Sequence, residues 1–221
     1  MNNENKLIKI ITPIFAFLPL ISYILLYTSL PDQLPMNISL DGTVNSYGSK
    51  LEFLILPAIT VVMYFVMKIV PKIDPKGKAY EKVAGFYSVF ILFMTIFLGI
   101  VYLSMLCIVW EIQWLDVNFV IFILLGFLFL LIGNYMPRMK QNFTMGIKTP
   151  WTLSSEKVWN KTHRLSGYLF VLSSLPMFLM AFFNGTIMFV LMSIVIAVAV
   201  IVPTVMSYVW YKEETKNSSE I

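Results

Sequence analysis

The chain has 221 residues, of which 58% are hydrophobic and only 13% charged, and its mean hydropathy is +0.79. A water-soluble domain carries about 25% charged residues, so this composition excludes a soluble globular fold and indicates an integral membrane protein. The net charge of +4 does not signal nucleic acid, because the positive charge sits in the connections between apolar runs, and no direct nucleic-acid contact is expected. The single Cys107 excludes an intrachain disulfide, and the single His163 argues against a histidine-and-cysteine metal site or a histidine-based triad. No metal, cofactor or catalytic residue is expected, and the chain is not read as an enzyme.

Six runs approach or exceed the roughly 20 apolar residues that span a bilayer: Ile8–Leu30, Phe53–Val70, Val83–Trp110, Phe119–Met136, Gly167–Phe183 and Ile187–Trp210. The first follows Lys6 and Lys9 as a signal peptide would, but its core is too long for one and no small-residue cleavage site follows, so it reads as a retained helix. The second, fourth and fifth runs are short and should cross with little tilt. Pro19, Pro57, Pro176 and Pro203 fall within runs and should kink their helices.

Between the first two runs lies a polar loop, residues 31–52. Its Asp41-Gly42 pair is a turn signal, and Ile38, Leu40 and Val44 alternate with polar residues around it, predicting a small two-stranded hairpin. The loop is either a structured linker or an outer surface that meets a ligand, with Asp41, Gly42 and Lys50 as the facing residues.

Fifteen of the 16 Lys and Arg fall on one side: Lys6, Lys9, Lys68, Lys72, Lys76, Lys78, Lys82, Arg138, Lys140, Lys148, Lys157, Lys161, Arg164, Lys212 and Lys216. Lys50 alone lies on the other. Positive charge marks the cytoplasmic side, so both termini are expected inside, and the polar tail from Lys212 to Ile221 is expected to be disordered. Trp110 and Trp114 outside, and Tyr208, Trp210 and Tyr211 inside, fit interfacial anchors.

No Asp, Glu, Lys, Arg or His lies deep within any run. Proton- and ion-coupled transporters place charge there, so that class is disfavoured. A pathway for an apolar or peptide substrate, in a transporter or flippase, stays open as the alternative.

The segment between the fourth and fifth runs is the densest polar and aromatic stretch. Thr149-Pro150 breaks the chain, Thr152 or Ser154 is placed to cap a new helix, and Glu156 falls in its first turn. Lys157, Lys161 and Arg164 share one helical face, while Val158, Thr162 and Leu165 share another. This basic amphipathic segment either lies on the anionic leaflet, recruits a soluble protein, or folds back and braces the bundle. His163 is expected to be a hydrogen-bonded structural side chain.

Gly133-Asn134, the run Gly146-Ile147-Lys148-Thr149-Pro150-Trp151-Thr152-Leu153, Val158-Trp159 and Thr162-His163-Arg164 resemble the signature of the SdpI family. Upstream, Leu34-Pro35, Asp41-Gly42 and Tyr47-Gly48-Ser49-Lys50 resemble a small extracytoplasmic domain of unknown function often fused ahead of it. Where that domain usually reads Pro-x-His-Trp or Pro-x-His-Phe, this chain has Pro35-Met36-Asn37-Ile38.

The resemblance implies a bacterial plasma-membrane immunity protein that protects against a secreted membrane-active peptide toxin. It also implies a receptor role, in which toxin engagement holds a soluble repressor at the membrane. The expected architecture is all-α with six transmembrane helices. Residues 1–82 would form a two-helix unit with the outer loop, and residues 83–221 a four-helix region with the inner motif at 133–166. Gly146, Thr149, Pro150, Trp151, Lys157, Trp159, Lys161, His163 and Arg164 are the expected partner-binding residues inside. The lipid bilayer, a peptide toxin and a soluble repressor are the expected partners.

Overall fold

A computed structural model describes residues 6–39, 43–112, 116–183 and 186–219. Asp41, Gly42 and Trp114 lie outside the described residues. Among the described residues six helices are long and apolar enough to cross a membrane and two strands form a β-hairpin, which makes the chain a predominantly helical multi-pass membrane protein. In chain order the elements are α1 (Lys6–Leu26), β1 (Gln33–Ile38), β2 (Val44–Ser49), α2 (Lys50–Phe53), α3 (Ile55–Ile73), a 3₁₀ turn (Gly77–Val83), α4 (Ala84–Val109), α5 (Val117–Tyr135), a second 3₁₀ turn (Met136–Arg138), α6 (Pro150–Ser154), α7 (Glu156–Phe182) and α8 (Thr186–Ser219). The α2–α3 pair forms one span and the others are α1, α4, α5, α7 and α8.

Some expectations need correction. The tail is helical as far as Ser219, because α8 continues past its apolar stretch without a break. The basic segment does form a helix that leads into the fifth span, as α7 runs unbroken from Glu156 to Phe182. Thr152 and Ser154 are not the caps. Thr149 caps α6, and the Ser155 hydroxyl accepts the Val158 N–H at 3.2 Å in the first turn of α7. Pro57 falls in the first turn of α3 rather than in mid-helix, where a proline's missing N–H costs no intrahelical bond. Pro13 and Pro71 also lie inside helices.

The chain forms two compact units. The first takes Met1–Ile69, Ala84–Leu124 and Ala181–Gly185. Here β1 and β2 pair antiparallel, with Gln33 opposite Ser49 and Ile38 opposite Val44, and with irregular register around Asn37. A lone hairpin is marginal in water, so its stability must come from what it covers. Buried Leu30 and Leu34 join Tyr23, Phe53, Tyr102 and Leu106 in one apolar cluster at its base. The Tyr23 hydroxyl donates to the Lys50 carbonyl at 2.7 Å. Ser49 and Glu52 form a capping box that starts α2 directly from the end of β2.

The second unit takes Val70–Val83, Leu125–Met180 and Thr186–Ile221. Lipid offers no hydrophobic drive for helices to associate, so close approach through small residues matters. A Cβ on Gly133 would lie 2.8 Å from the Gly167 carbonyl, and one on Gly167 would lie 2.8 Å from the Gly133 carbonyl. Thus α5 and α7 touch backbone to backbone. Phe127 packs edge-on to Phe178, and Phe129 stacks on Phe170, along the same pair.

Candidate functional site

All nine expected inner residues fall in the second unit, in the loop, α6 and the first turns of α7. The loop after α5 is irregular, so its backbone polar groups need partners elsewhere. They find them in an ordered network.

Asn142 folds the loop on itself. Its side-chain oxygen accepts the N–H groups of Thr144 at 3.0 Å and Met145 at 2.7 Å, a turn that asparagine favours. Asp74, from the connection after α3, is buried and accepts from four donors: the Thr144 hydroxyl at 2.7 Å, the Phe143 N–H at 3.1 Å, the Lys76 N–H at 2.8 Å and the Tyr80 hydroxyl at 3.2 Å. Burial pushes the Asp74 carboxyl upward, but the donors outweigh it and hold it below the usual aspartate value. Burial, ahead of the Asp74 charge, raises Tyr80 to about 12. Gln141 donates to the carbonyls of Thr152 and Leu153 at 2.7 and 2.8 Å, and accepts from the Lys76 ammonium.

The motif then turns at Gly146, whose φ is +96°, a conformation that favours glycine. The next residue, Ile147, donates its N–H to His163 Nε2 at 3.1 Å. That nitrogen must therefore be unprotonated, which leaves the proton on Nδ1, facing the Trp159 carbonyl at 2.9 Å. His163 is neutral and fully buried, stacked on Trp159 with ring centroids 3.9 Å apart. The Trp159 indole N–H in turn donates to the Met139 carbonyl at 2.8 Å.

Thr149 and Thr152 exchange a capping box at the start of α6, with Pro150 at the position where a missing N–H costs nothing. Thr152 also donates to the Ile147 carbonyl at 2.9 Å, and the Thr149 hydroxyl meets that of Ser207 on α8 at 3.1 Å. Trp151 packs on Tyr208, and the Ser155 hydroxyl donates to Glu214 at 2.6 Å. The extension of α8 is thus a wall against which α6 and the start of α7 are fixed.

The expected site residues therefore separate by exposure. Trp159, His163 and Thr149 are buried and hold the loop, while Trp151 is half-buried. Gly146, Pro150, Lys157, Lys161 and Arg164 are exposed. The fold-back expectation describes the first set. Sequence reasoning missed Asp74, Asn142, Gln141, Thr152's full role and Ser207. Asp74-Pro75-Lys76-Gly77 carries a turn signature that pointed to a structured connection, whereas a lone serine in an apolar helix gave no signal. Lys50 lies in the first unit. Its ammonium is 3.4 Å from Asp32 and 5.3 Å from the Tyr27 ring centre.

Residues 138–207 match the model of the SdpI/YfhL protein family, and residues 14–61 match a domain of unknown function, DUF1648. The chain is similar to Immunity protein SdpI of Bacillus subtilis (strain 168), 27% identical over 206 residues that cover 93% of this chain and 96% of that protein. No solved structure matches the chain. The network around Asp74, Trp159 and His163 thus surrounds the start of the segment over which the chain is similar to the SdpI/YfhL protein family.

Proposed function

We propose that this protein protects a bacterial cell from a secreted, membrane-active peptide toxin. The observation that carries this reading is its similarity to an immunity protein across nearly the whole of both chains. The protein sits in the plasma membrane with both termini cytoplasmic, which the distribution of Lys and Arg supports. The hairpin then faces outward, and Asp41, Gly42 and Lys50 lie where an incoming peptide arrives. Residues 1–82 carry this toxin-meeting hairpin in our reading and also brace the inner motif, through Asp74 and Lys76.

Toxin engagement has a second consequence in this reading. The exposed part of the motif, with Gly146, Pro150, Lys157, Lys161 and Arg164, is the surface that holds a soluble repressor. Thr149, Trp151, Trp159 and His163 keep that surface in shape.

The test is survival of a toxin-sensitive bacterium expressing the chain, across a dose series of a purified SDP-type toxin. Protection relative to an empty vector is expected. No protection at verified membrane abundance overturns the reading and shifts it toward transport of an apolar or peptide substrate. For the receptor role, Lys157→Glu, Lys161→Glu and Arg164→Glu together should abolish repressor recruitment in a protein that still folds. Unchanged recruitment would exclude this face as the docking surface.

A further inference from the structure

Lys157, Lys161 and Arg164 continue a longer stripe on α7. Residues 157, 161, 164, 168, 172, 175 and 179 follow one another by three or four, so they lie on one helical face. All are exposed, and beyond Arg164 they become Tyr168, Leu172, Leu175 and Leu179. In a spanning helix an exposed apolar stripe lies against acyl chains. The same face, followed past Gly167, therefore reaches the headgroup layer rather than turning toward bulk water. At 1.5 Å per residue, Arg164, Lys161 and Lys157 stand roughly 5, 9 and 15 Å beyond Gly167. The headgroup layer of each leaflet is about 5–8 Å thick, so Arg164 lies within it and the two lysines reach back to it with their side chains.

A small cavity of about 50 Å³ opens beside this face, lined by Lys157, Val158, Lys161, Trp210, Glu213 and Glu214. It is much smaller than the roughly 300–1,000 Å³ of a drug-sized pocket, so it takes the tip of a ligand. Its charged lining has two cations on α7 and two carboxylates on α8, formally neutral in sum. Lys161 also sits 5.7 Å from the Trp210 ring centre. A purely anionic ligand would meet the two carboxylates, and a purely cationic one the two lysines. A phosphate next to an ammonium satisfies both sides.

We propose that this cavity binds the phosphoethanolamine headgroup of a phospholipid, with the phosphate on Lys157 and Lys161. The ammonium lies against Glu213 and the Trp210 face, and the acyl chains run down the Tyr168–Leu179 stripe. Ethanolamine fits better than choline because its ammonium donates hydrogen bonds that a carboxylate accepts. The inference does not rest on the immunity reading; it competes with the repressor-docking reading for Lys157 and Lys161, and lipid held there leaves Gly146, Pro150 and Arg164 as the face open to a soluble partner.

The test is native mass spectrometry of the full chain in detergent. The protein is incubated with equal amounts of phosphatidylethanolamine, phosphatidylglycerol and phosphatidylcholine carrying the same acyl chains. Wild type should retain phosphatidylethanolamine in preference to both others. Lys161→Gln should lower that retention about fivefold, the equivalent of one lysine near a membrane surface. Glu213→Gln with Glu214→Gln leaves the lysines in place and should reverse the preference toward phosphatidylglycerol. If wild type retains phosphatidylglycerol as well or better, the face attracts anionic lipid in bulk and the site does not exist. Retention unchanged by Lys161→Gln also overturns the proposal.

Discussion

Gly146 and His163 are shaped for each other: a Cβ built on Gly146 would lie 2.2 Å from His163 Nε2, at a backbone φ of +96°. Gly146→Ala therefore faces two penalties, strain at positive φ and a collision with a ring that cannot retreat, because both its nitrogens are engaged. Such a change should cost about 2 kcal/mol or more. His163→Ala removes the collision but strands the Ile147 N–H, at about 1–3 kcal/mol. The double variant should consequently be less damaged than the sum of the two singles. Unfolding of the four proteins in detergent measures this. Strict additivity would mean that the two residues do not meet as described.

Asp74 gives the motif a dependence on acid. A carboxylate whose folded pKa lies below its unfolded one adds stability above the unfolded value, and loses that contribution as pH falls through the folded one. Asp74 is held below 3.8 by its donors, so its support is complete at neutral pH and disappears in acid below that value. Asp74→Asn should lower the melting temperature at pH 7, and the gap to wild type should narrow toward pH 3. Comparing the two proteins at each pH cancels the other carboxylates. A gap as wide at pH 3 as at pH 7 would rule out the charged clamp.

The spans and the hairpin were legible because each rests on a local signal: uninterrupted apolar length, or an Asp-Gly turn between alternating residues. The basic face was legible from helical spacing alone. The network was not, because its partners are far apart in sequence. Asp74 meets Thr144 across 70 residues, and Thr149 meets Ser207 across 58. Trp159 and His163 read equally well as surface or interior, since aromatic and polar residues near a membrane face occur in both. Only the contacts with Met139 and Ile147 decide for the interior. The helical tail was missed for a different reason. Its polar composition looked like a solvated end, but the Ser155 hydroxyl at the start of α7 bonds to Glu214 within it.

Thr149 serves two elements at once, as the cap of α6 and as the partner of Ser207. Thr149→Val keeps the shape and removes the hydroxyl, which should cost about 1–2 kcal/mol for the cap and leave the Ser207 hydroxyl with its bond to the Thr204 carbonyl. Thr149→Ser keeps both hydrogen bonds and should be nearly neutral. Ser207→Ala removes only the second contact and should fall between them. A Ser207→Ala effect as large as that of Thr149→Val would assign the stability to the link with α8 rather than to the cap.

Gly133 and Gly167 make the sharpest prediction about the membrane-embedded part. Each Cβ would meet the other residue's carbonyl at 2.8 Å, and the Gly133 Cβ would also meet the Val171 backbone nitrogen at 2.7 Å. Backbone atoms cannot rotate away as a side chain can, so alanine at either position must push α5 and α7 apart. Both residues lie within helices, where alanine is otherwise the better helix former by about 1 kcal/mol. A gain from propensity and a loss from separation thus compete, and the geometry says that the loss prevails. Gly133→Ala and Gly167→Ala should each destabilise the protein in detergent, and should weaken the Phe127–Phe178 and Phe129–Phe170 contacts along the same interface. Those contacts are read by distance measurements between labels on α5 and α7. Stabilisation by either alanine would show that the two backbones are not in contact.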